Sequence, residues 1–137
     1  MPSATGGTQA GLLVGLRAGG AGTIVRGVAV ARPADELRDL VVATLRDLGD
    51  VGGLPVVDPA VIVIDGTQLG AGYGRPTEAA EAATRLLART EGILVDPIYT
   101  AKALAGLIAA ASRDELAGPR VLFWHAGGTT GLFEPLD

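Results

Sequence analysis

TGGTQAGLLVGLRAGGAGTIVRGVAVARPADEL, residues 5–37, is the stretch on which the fold turns. It opens on small residues, Thr5 to Thr8, that suit a tight loop. Leu12, Leu13, Val14 and Leu16 follow and read as a helix that should end near Gly19 and Gly20. Thr23 to Ala31 is β-branched and mostly apolar, which predicts a buried strand. Arg32-Pro33-Ala34-Asp35 opens a second helix, with Leu37, Leu40, Val41, Leu45 and Leu48 at helical spacing. Loop, helix, strand and helix in that order predict an α/β fold with a mainly parallel sheet flanked by helices.

The rest of the chain continues the alternation. Gly49 to Pro59 reads as a loop and Val61 to Ile64 as a short strand. Asp65 to Pro76 is glycine-rich and holds Tyr73. Thr77 should cap a helix running to about Thr90, with Glu78 and Glu81 near its positive end. Gly92 to Val95 is short and extended. Asp96-Pro97 turns into a helix from about Tyr99 to Ser112, since proline is tolerated where a helix begins. Arg120 to Trp124 predicts a last strand, and His125 to Thr130 the loop after it. In such sheets ligands sit at the carboxyl ends of strands. The opening loop, the loop after Val61–Ile64 and the loop after Trp124 all meet that condition. No internal repeat or linker interrupts the chain. Upstream, only Met1 to Ala4 precede a loop that a strand would normally deliver, so an N-terminal part is expected to be missing.

Composition narrows the function. The chain has 137 residues, 48% of them hydrophobic, enough for one domain with a sizeable core. Its 21 glycines imply several tight turns or backbone-lined sites, and no period of three accompanies them. A formal net charge of −4 offers no basic face for nucleic acid. With no cysteine and one histidine, His125, neither a disulfide frame nor a zinc cage is expected. There is no basic region followed by an apolar core at the N-terminus. The longest apolar run, Ala103 to Ala111, is too short to span a bilayer. The expectation is a soluble cytoplasmic protein without nucleic-acid or membrane partners.

Three constellations carry chemistry. Thr5-Gly6-Gly7-Thr8 before a helix can converge backbone N–H groups on an anion, or can be an ordinary loop entering a helix. Asp96-Pro97-Ile98-Tyr99-Thr100-Ala101-Lys102 places Tyr99 and Thr100 on a first helical turn, where their hydroxyls can face a ligand. Tyr99 read alone is rather a core aromatic with its hydroxyl at the surface. His125-Ala126-Gly127-Gly128 is a second backbone-lined loop or a simple turn. No serine or aspartate at a recognisable spacing makes His125 a catalytic base, so it reads as structural. Lys102, the single lysine, reads as a solvated helix residue or one member of an ion pair.

Taken together, T-G-G-T-Q-A-G-L, G-Y-G-R-P-T, E-G-I-L-V-D-P-I-Y-T-A-K-A-L-A-G-L-I and V-L-F-W-H-A-G-G with Leu132 and Phe133 after it resemble one family. This is the D-cysteine desulfhydrase / 1-aminocyclopropane-1-carboxylate deaminase family of pyridoxal-phosphate (PLP) enzymes, with the tryptophan-synthase-β-like fold (fold type II). The resemblance runs from about Ser3 to Phe133. It implies that residues 1–137 form a single C-terminal domain, part of the family's large domain, that binds the phosphate of PLP. Thr5, Gly6, Gly7 and Thr8 would hold that phosphate. Tyr73 and Tyr99 would flank substrate and cofactor as the catalytic pair. Thr100 would face the pyridine nitrogen, Ala126 would contact the cofactor through its backbone, and Gly127 would line the ring.

The deaminase branch carries glutamate where this chain has Thr100. A neutral residue there leaves the ring a milder electron sink, suited to expelling thiolate. The resemblance therefore implies D-cysteine desulfhydrase-like chemistry on a small amino acid, giving pyruvate, sulfide and ammonia. The family's cofactor-anchoring lysine, with an asparagine and a serine that contact cofactor and substrate, lies in an N-terminal segment that this chain lacks. Lys102 matches a different lysine. The chain alone is thus expected to be inactive, pairing as a homodimer or with a missing N-terminal half. Three alternatives stay open: a non-catalytic PLP- or phosphate-binding fragment, a decayed gene product, and a deaminase-like enzyme. A half of a larger enzyme should also leave apolar surface uncovered near strands 23–31, 61–64 and 120–124.

Overall fold

The computed structural model describes residues 1–116 and 120–133. Its elements are β1 (Pro2–Ser3), α1 (Gly7–Ala18), β2 (Arg26–Ala29), α2 (Ala34–Gly49), β3 (Val63–Asp65), α3 (Glu78–Glu91) and α4 (Thr100–Ser112). Short 3-10 turns cover Pro59–Val61 and Thr129–Leu132. The strands form one sheet in the order β1-β2-β3, parallel throughout, with Pro2 opposite Val28 and Gly27 opposite Ile64. The α/β class and the parallel sheet stand as expected.

The central strand explains the layering. Side chains alternate across a strand, so β2 presents two apolar faces. Ala29 turns to one side and packs with Ala10, Leu13 and Val14 of α1 and Leu37, Val41 and Leu45 of α2. Val28 and Val30 turn to the other side and meet Ala103 of α4. Beyond α4 lies α3, held by Ala80 and Ala83 against Ala101, Leu104 and Ala105. These small residues let the two helices approach closely. Helix starts follow local chemistry: the Thr77 side chain accepts from the Ala80 N–H at 3.1 Å, and Glu78 and Glu81 occupy the first turn.

Two expectations are corrected. Arg120–Trp124 is not a strand: among the described residues nothing pairs with it, and Val121 and Leu122 are exposed. Strand-forming residues make a strand only where a neighbouring backbone pairs with them, and among the described residues none does so here. Only Phe123 of this segment turns inward, against the α3–α4 and β2–α4 clusters. The second correction concerns the opening loop. A strand does deliver it, for Pro2–Ser3 pairs with β2 through Val28 N–H to Met1 O (2.9 Å) and Val30 N–H to Ser3 O (3.2 Å). The predicted strand 61–64 is shifted, since Pro59–Val61 winds into a 3-10 turn and pairing begins at Val63. Exposed apolar side chains include Ile24, Val61, Val121 and Leu122 near the expected strands, but also Val56, Leu86, Leu94 and Phe133 elsewhere, while Val28, Ala29 and Val30 are buried. No helix among the described residues is long and apolar enough to cross a membrane.

Candidate functional site

The turn from β1 into α1 builds the floor of a broad cavity. Gly6 has φ +82°, a left-handed conformation that side chains rarely adopt, and a Cβ there would lie 2.7 Å from Val41 Cγ2. Glycine is therefore required for the loop to lie against α2. Arg32 Nε, on the segment after β2, donates to Ala4 O at 2.8 Å and ties the loop down from the other side. Helix α1 starts at Gly7 with no side chain capping it and no acidic residue in its first turn. Its leading N–H groups are left for an anion, and the helix dipole adds partial positive charge. Thr5, Gly7 and Thr8 are exposed to the cavity while Gly6 is buried.

The cavity has a volume of about 750 Å³, ample for a small phosphorylated molecule. Thr5, Gly6, Gly7 and Thr8 line one end. Tyr73 arrives from the loop after β3 and Tyr99 from the start of α4. Their hydroxyls are 2.8 Å apart, and their rings meet edge to face, with centroids 5.8 Å apart at 70°. Ala126 and Gly127 line it as well, from the loop before Thr129. So every expected site residue except Thr100 converges on one space, although they are drawn from four distant stretches of chain.

Thr100 lies behind the wall. It is fully buried, and its hydroxyl donates to Asp96 Oδ1 at 2.6 Å while accepting from the Asp96 N–H at 2.9 Å. Thr100 thus takes part in a helix-start lock and is absent from the cavity lining. Asp96, which sequence reading passed over as a site residue, holds that lock. Its buried carboxylate accepts from the N–H groups of Ile98 (2.9 Å), Tyr99 (2.7 Å) and Thr100 (2.8 Å) and also lines the cavity. A Cβ on Gly128 would fall 2.0 Å from Asp96 Oδ1, so the glycine loop packs directly on this carboxylate. Asp before Pro at a helix start was the available signal, because aspartate is a strong acceptor for orphan helix N–H groups. Ser3 and Arg75 also line the cavity, and nothing in their local pattern marked them.

The remaining polar candidates are structural. His125 Nε2–H donates to Leu94 O at 3.1 Å, and its ring stands edge-on to Phe123. Lys102 is corrected: it is neither solvated nor ion-paired but fully buried, donating to Leu69 O (2.8 Å) and Gly72 O (3.0 Å). Burial pushes its pKa below the usual lysine value. Outside the cavity, Glu115 accepts from Arg113 and Arg26, which hold its carboxyl down at about 2. Among the described residues, no three His, Asp or Glu side chains gather where a metal ion could be held.

Comparison with known proteins adds identity to this geometry. The D-cysteine desulfhydrase of Yersinia pestis (strain Pestoides F) is 42% identical over 134 residues, covering 96% of this chain and 40% of that protein. The 1-aminocyclopropane-1-carboxylate deaminase of Burkholderia vietnamiensis is 36% identical over 133 residues, covering 95% and 39%. The chain thus spans about 40% of the length of these relatives. A crystal structure of an ACC deaminase homologue superposes with a TM-score of 0.75 at 31% identity, over 95% of this chain and 39% of that one. The family model described as "Pyridoxal-phosphate dependent enzyme" matches residues 1–127. With that match spanning nearly all of its length, this chain belongs to the pyridoxal-phosphate dependent enzymes.

Proposed function

We propose that residues 1–137 are the C-terminal, phosphate-binding domain of a D-cysteine desulfhydrase-like enzyme. The observation that carries this reading is the meeting, in one cavity, of an uncapped helix N-terminus with Tyr73 and Tyr99. The cavity's donors suit a phosphate: N–H groups of Gly6, Gly7 and Thr8 with the hydroxyls of Thr5 and Thr8 would hold it. Tyr73 and Tyr99 would flank the ring and the substrate, and the backbone of Ala126 and Gly127 would line the ring. When bound, PLP supplies an electron sink for charge developing at the substrate Cα. The protein's part is to fix the phosphate, orient the ring and place two phenols beside the reacting amino acid. In the complete enzyme, D-cysteine and water would give pyruvate, hydrogen sulfide and ammonia. Higher identity to the desulfhydrase than to the deaminase favours D-cysteine over aminocyclopropane carboxylate.

Lys102 favours a second statement, that the chain alone holds a phosphorylated ligand without turning it over. It is the single lysine, and its amine is buried against two carbonyls. Turnover would then need a lysine from elsewhere, in a cytoplasmic enzyme that pairs as a homodimer or with an N-terminal half.

Gly7→Asp tests the phosphate site. A Cβ at Gly7 meets nothing within 4 Å, so the fold should tolerate the change. An acid at the first helical position suits the dipole but repels a bound anion. Calorimetry is expected to show phosphate and PLP binding lost with thermal stability kept, and unchanged affinity refutes the site. Sulfide release from D-cysteine is expected only when an N-terminal half is supplied in trans. Release by the chain alone would remove the second statement, and faster turnover of aminocyclopropane carboxylate would reassign the substrate.

A further inference from the structure

Lys102 stands one turn beyond Tyr99 on α4, and its ammonium reaches across to the loop that carries Tyr73. Both carbonyls it binds also close turns of that loop. Leu69 O accepts from the Gly72 N–H and Gly72 O from the Arg75 N–H, each at 3.4 Å. These are long, weak bonds. Gly70, Gly72 and Gly74 all have positive φ, so this backbone has wide freedom of its own. Tyr73 stands between the two turns with its ring exposed, meeting the Tyr99 hydroxyl at 2.8 Å. Neither of these two turn bonds is by itself strong enough to hold a solvent-facing phenol at that distance.

We infer that Lys102 is a positioning residue: its buried ammonium gathers the Leu69 and Gly72 carbonyls and so keeps Tyr73 against Tyr99 at the cavity. One helix then governs both tyrosines, since α4 carries Tyr99 directly and Tyr73 through Lys102. Packing does not explain a lysine here. Methionine fills a similar volume without a charge to desolvate, and removing Lys102 leaves both carbonyls with their turn N–H partners. Among the described residues no carboxylate offsets the ammonium, which makes the two carbonyls its whole polar environment.

The chain has two tyrosines and one lysine, so isotopic labelling by residue type reports these groups alone. With ring-labelled tyrosine, the wild type is expected to show cross-peaks between the two rings. Lys102→Met is expected to lose them while staying folded with an undiminished melting temperature. Arg38→Met is the control, because Arg38 makes a similar clamp on Pro59 O (2.9 Å) and Ile62 O (3.0 Å), none of which lines the cavity, and its loss should leave the cross-peaks intact. A second readout rests on the proposed cofactor. Lys102→Met should leave inorganic phosphate affinity unchanged and weaken PLP affinity by about tenfold, the scale of one lost aromatic contact. Persistence of the tyrosine cross-peaks in Lys102→Met overturns the inference. Failure of the wild type to bind phosphate or PLP overturns the cofactor reading instead, and the cross-peaks still decide Lys102. If Lys102→Met does not fold, ¹⁵N-lysine labelling of the wild type decides. A slowly exchanging ammonium near the Leu69 and Gly72 amides supports the clamp, and a freely exchanging one overturns it.

Discussion

Replacing Gly6 with alanine separates a conformational requirement from mere loop character. The backbone there has φ +82° and ψ −14°, and holding a residue with a Cβ in that region costs about 1–2 kcal/mol. The new methyl would stand 2.7 Å from Val41 Cγ2, 3.2 Å from Val41 N and 3.3 Å from Val41 Cα. Two of those three atoms are backbone of α2 and cannot turn aside, and such overpacking typically costs about 1–3 kcal/mol more. The combined loss of about 2–5 kcal/mol is a large share of the 5–15 kcal/mol that holds a domain together. At about 2–4 °C per kcal/mol for a chain near this size, the melting temperature should fall by about 5–20 °C. Gly7→Ala is the matched control, since its Cβ meets nothing within 4 Å and its position is the first of the helix. Thermal unfolding followed by circular dichroism reads the difference, and phosphate calorimetry reads the site. Gly6→Ala should also lose phosphate binding, because the loop must shift to admit the methyl. If the two variants melt within about 1 °C of each other, a difference of a few tenths of a kcal/mol, the reasoning from φ and the Val41 contact is wrong.

Two further outcomes follow from the same geometry. Asp96→Asn keeps the shape but leaves one oxygen to serve the N–H groups that the carboxylate now serves with two. Hydrogen bonds to charged groups are worth about 1.5–3 kcal/mol, so a loss of that size is expected, with weaker PLP binding as Tyr99 loosens; denaturant unfolding with a stability unchanged by the substitution would contradict the lock. Glu115 ionises at about 2 when folded against an ordinary 4.5, so the fold binds fewer protons than the unfolded chain between those values. Stability tied to it is present above about pH 4.5 and lost as pH falls toward 2, and Glu115→Gln should flatten that part of the acid-denaturation curve. An identical acid limb in the variant would show that the Arg26–Glu115–Arg113 cluster adds nothing.

Local chemistry wrote much of this protein legibly. The apolar spacing of Leu37, Val41 and Leu45 announced α2, Thr77 with Glu78 and Glu81 announced α3, and Asp96-Pro97 announced α4 within a residue of its start. These signals act over three or four residues, so they survive without knowledge of the fold. The glycine loop at Thr5–Thr8 and the two tyrosines stood out through motif as candidate site residues, and the fold brings them to one cavity. Long-range pairing was not legible. Arg120–Trp124 has every local mark of a strand but no ladder partner among the described residues, whereas Pro2–Ser3 has almost none and is a strand because β2 lies alongside. A ladder's hydrogen bonds belong to two segments, and one segment's residues cannot state whether the other is present. The same holds inside the site. Thr100 and Lys102 carry polar groups that solvent would have satisfied, but the packing of α4 against the sheet and the 66–76 loop takes water away from both. Once buried, each must find its partners within the protein, Asp96 for the hydroxyl and two loop carbonyls for the ammonium, and only the tertiary structure decides which partners stand within reach.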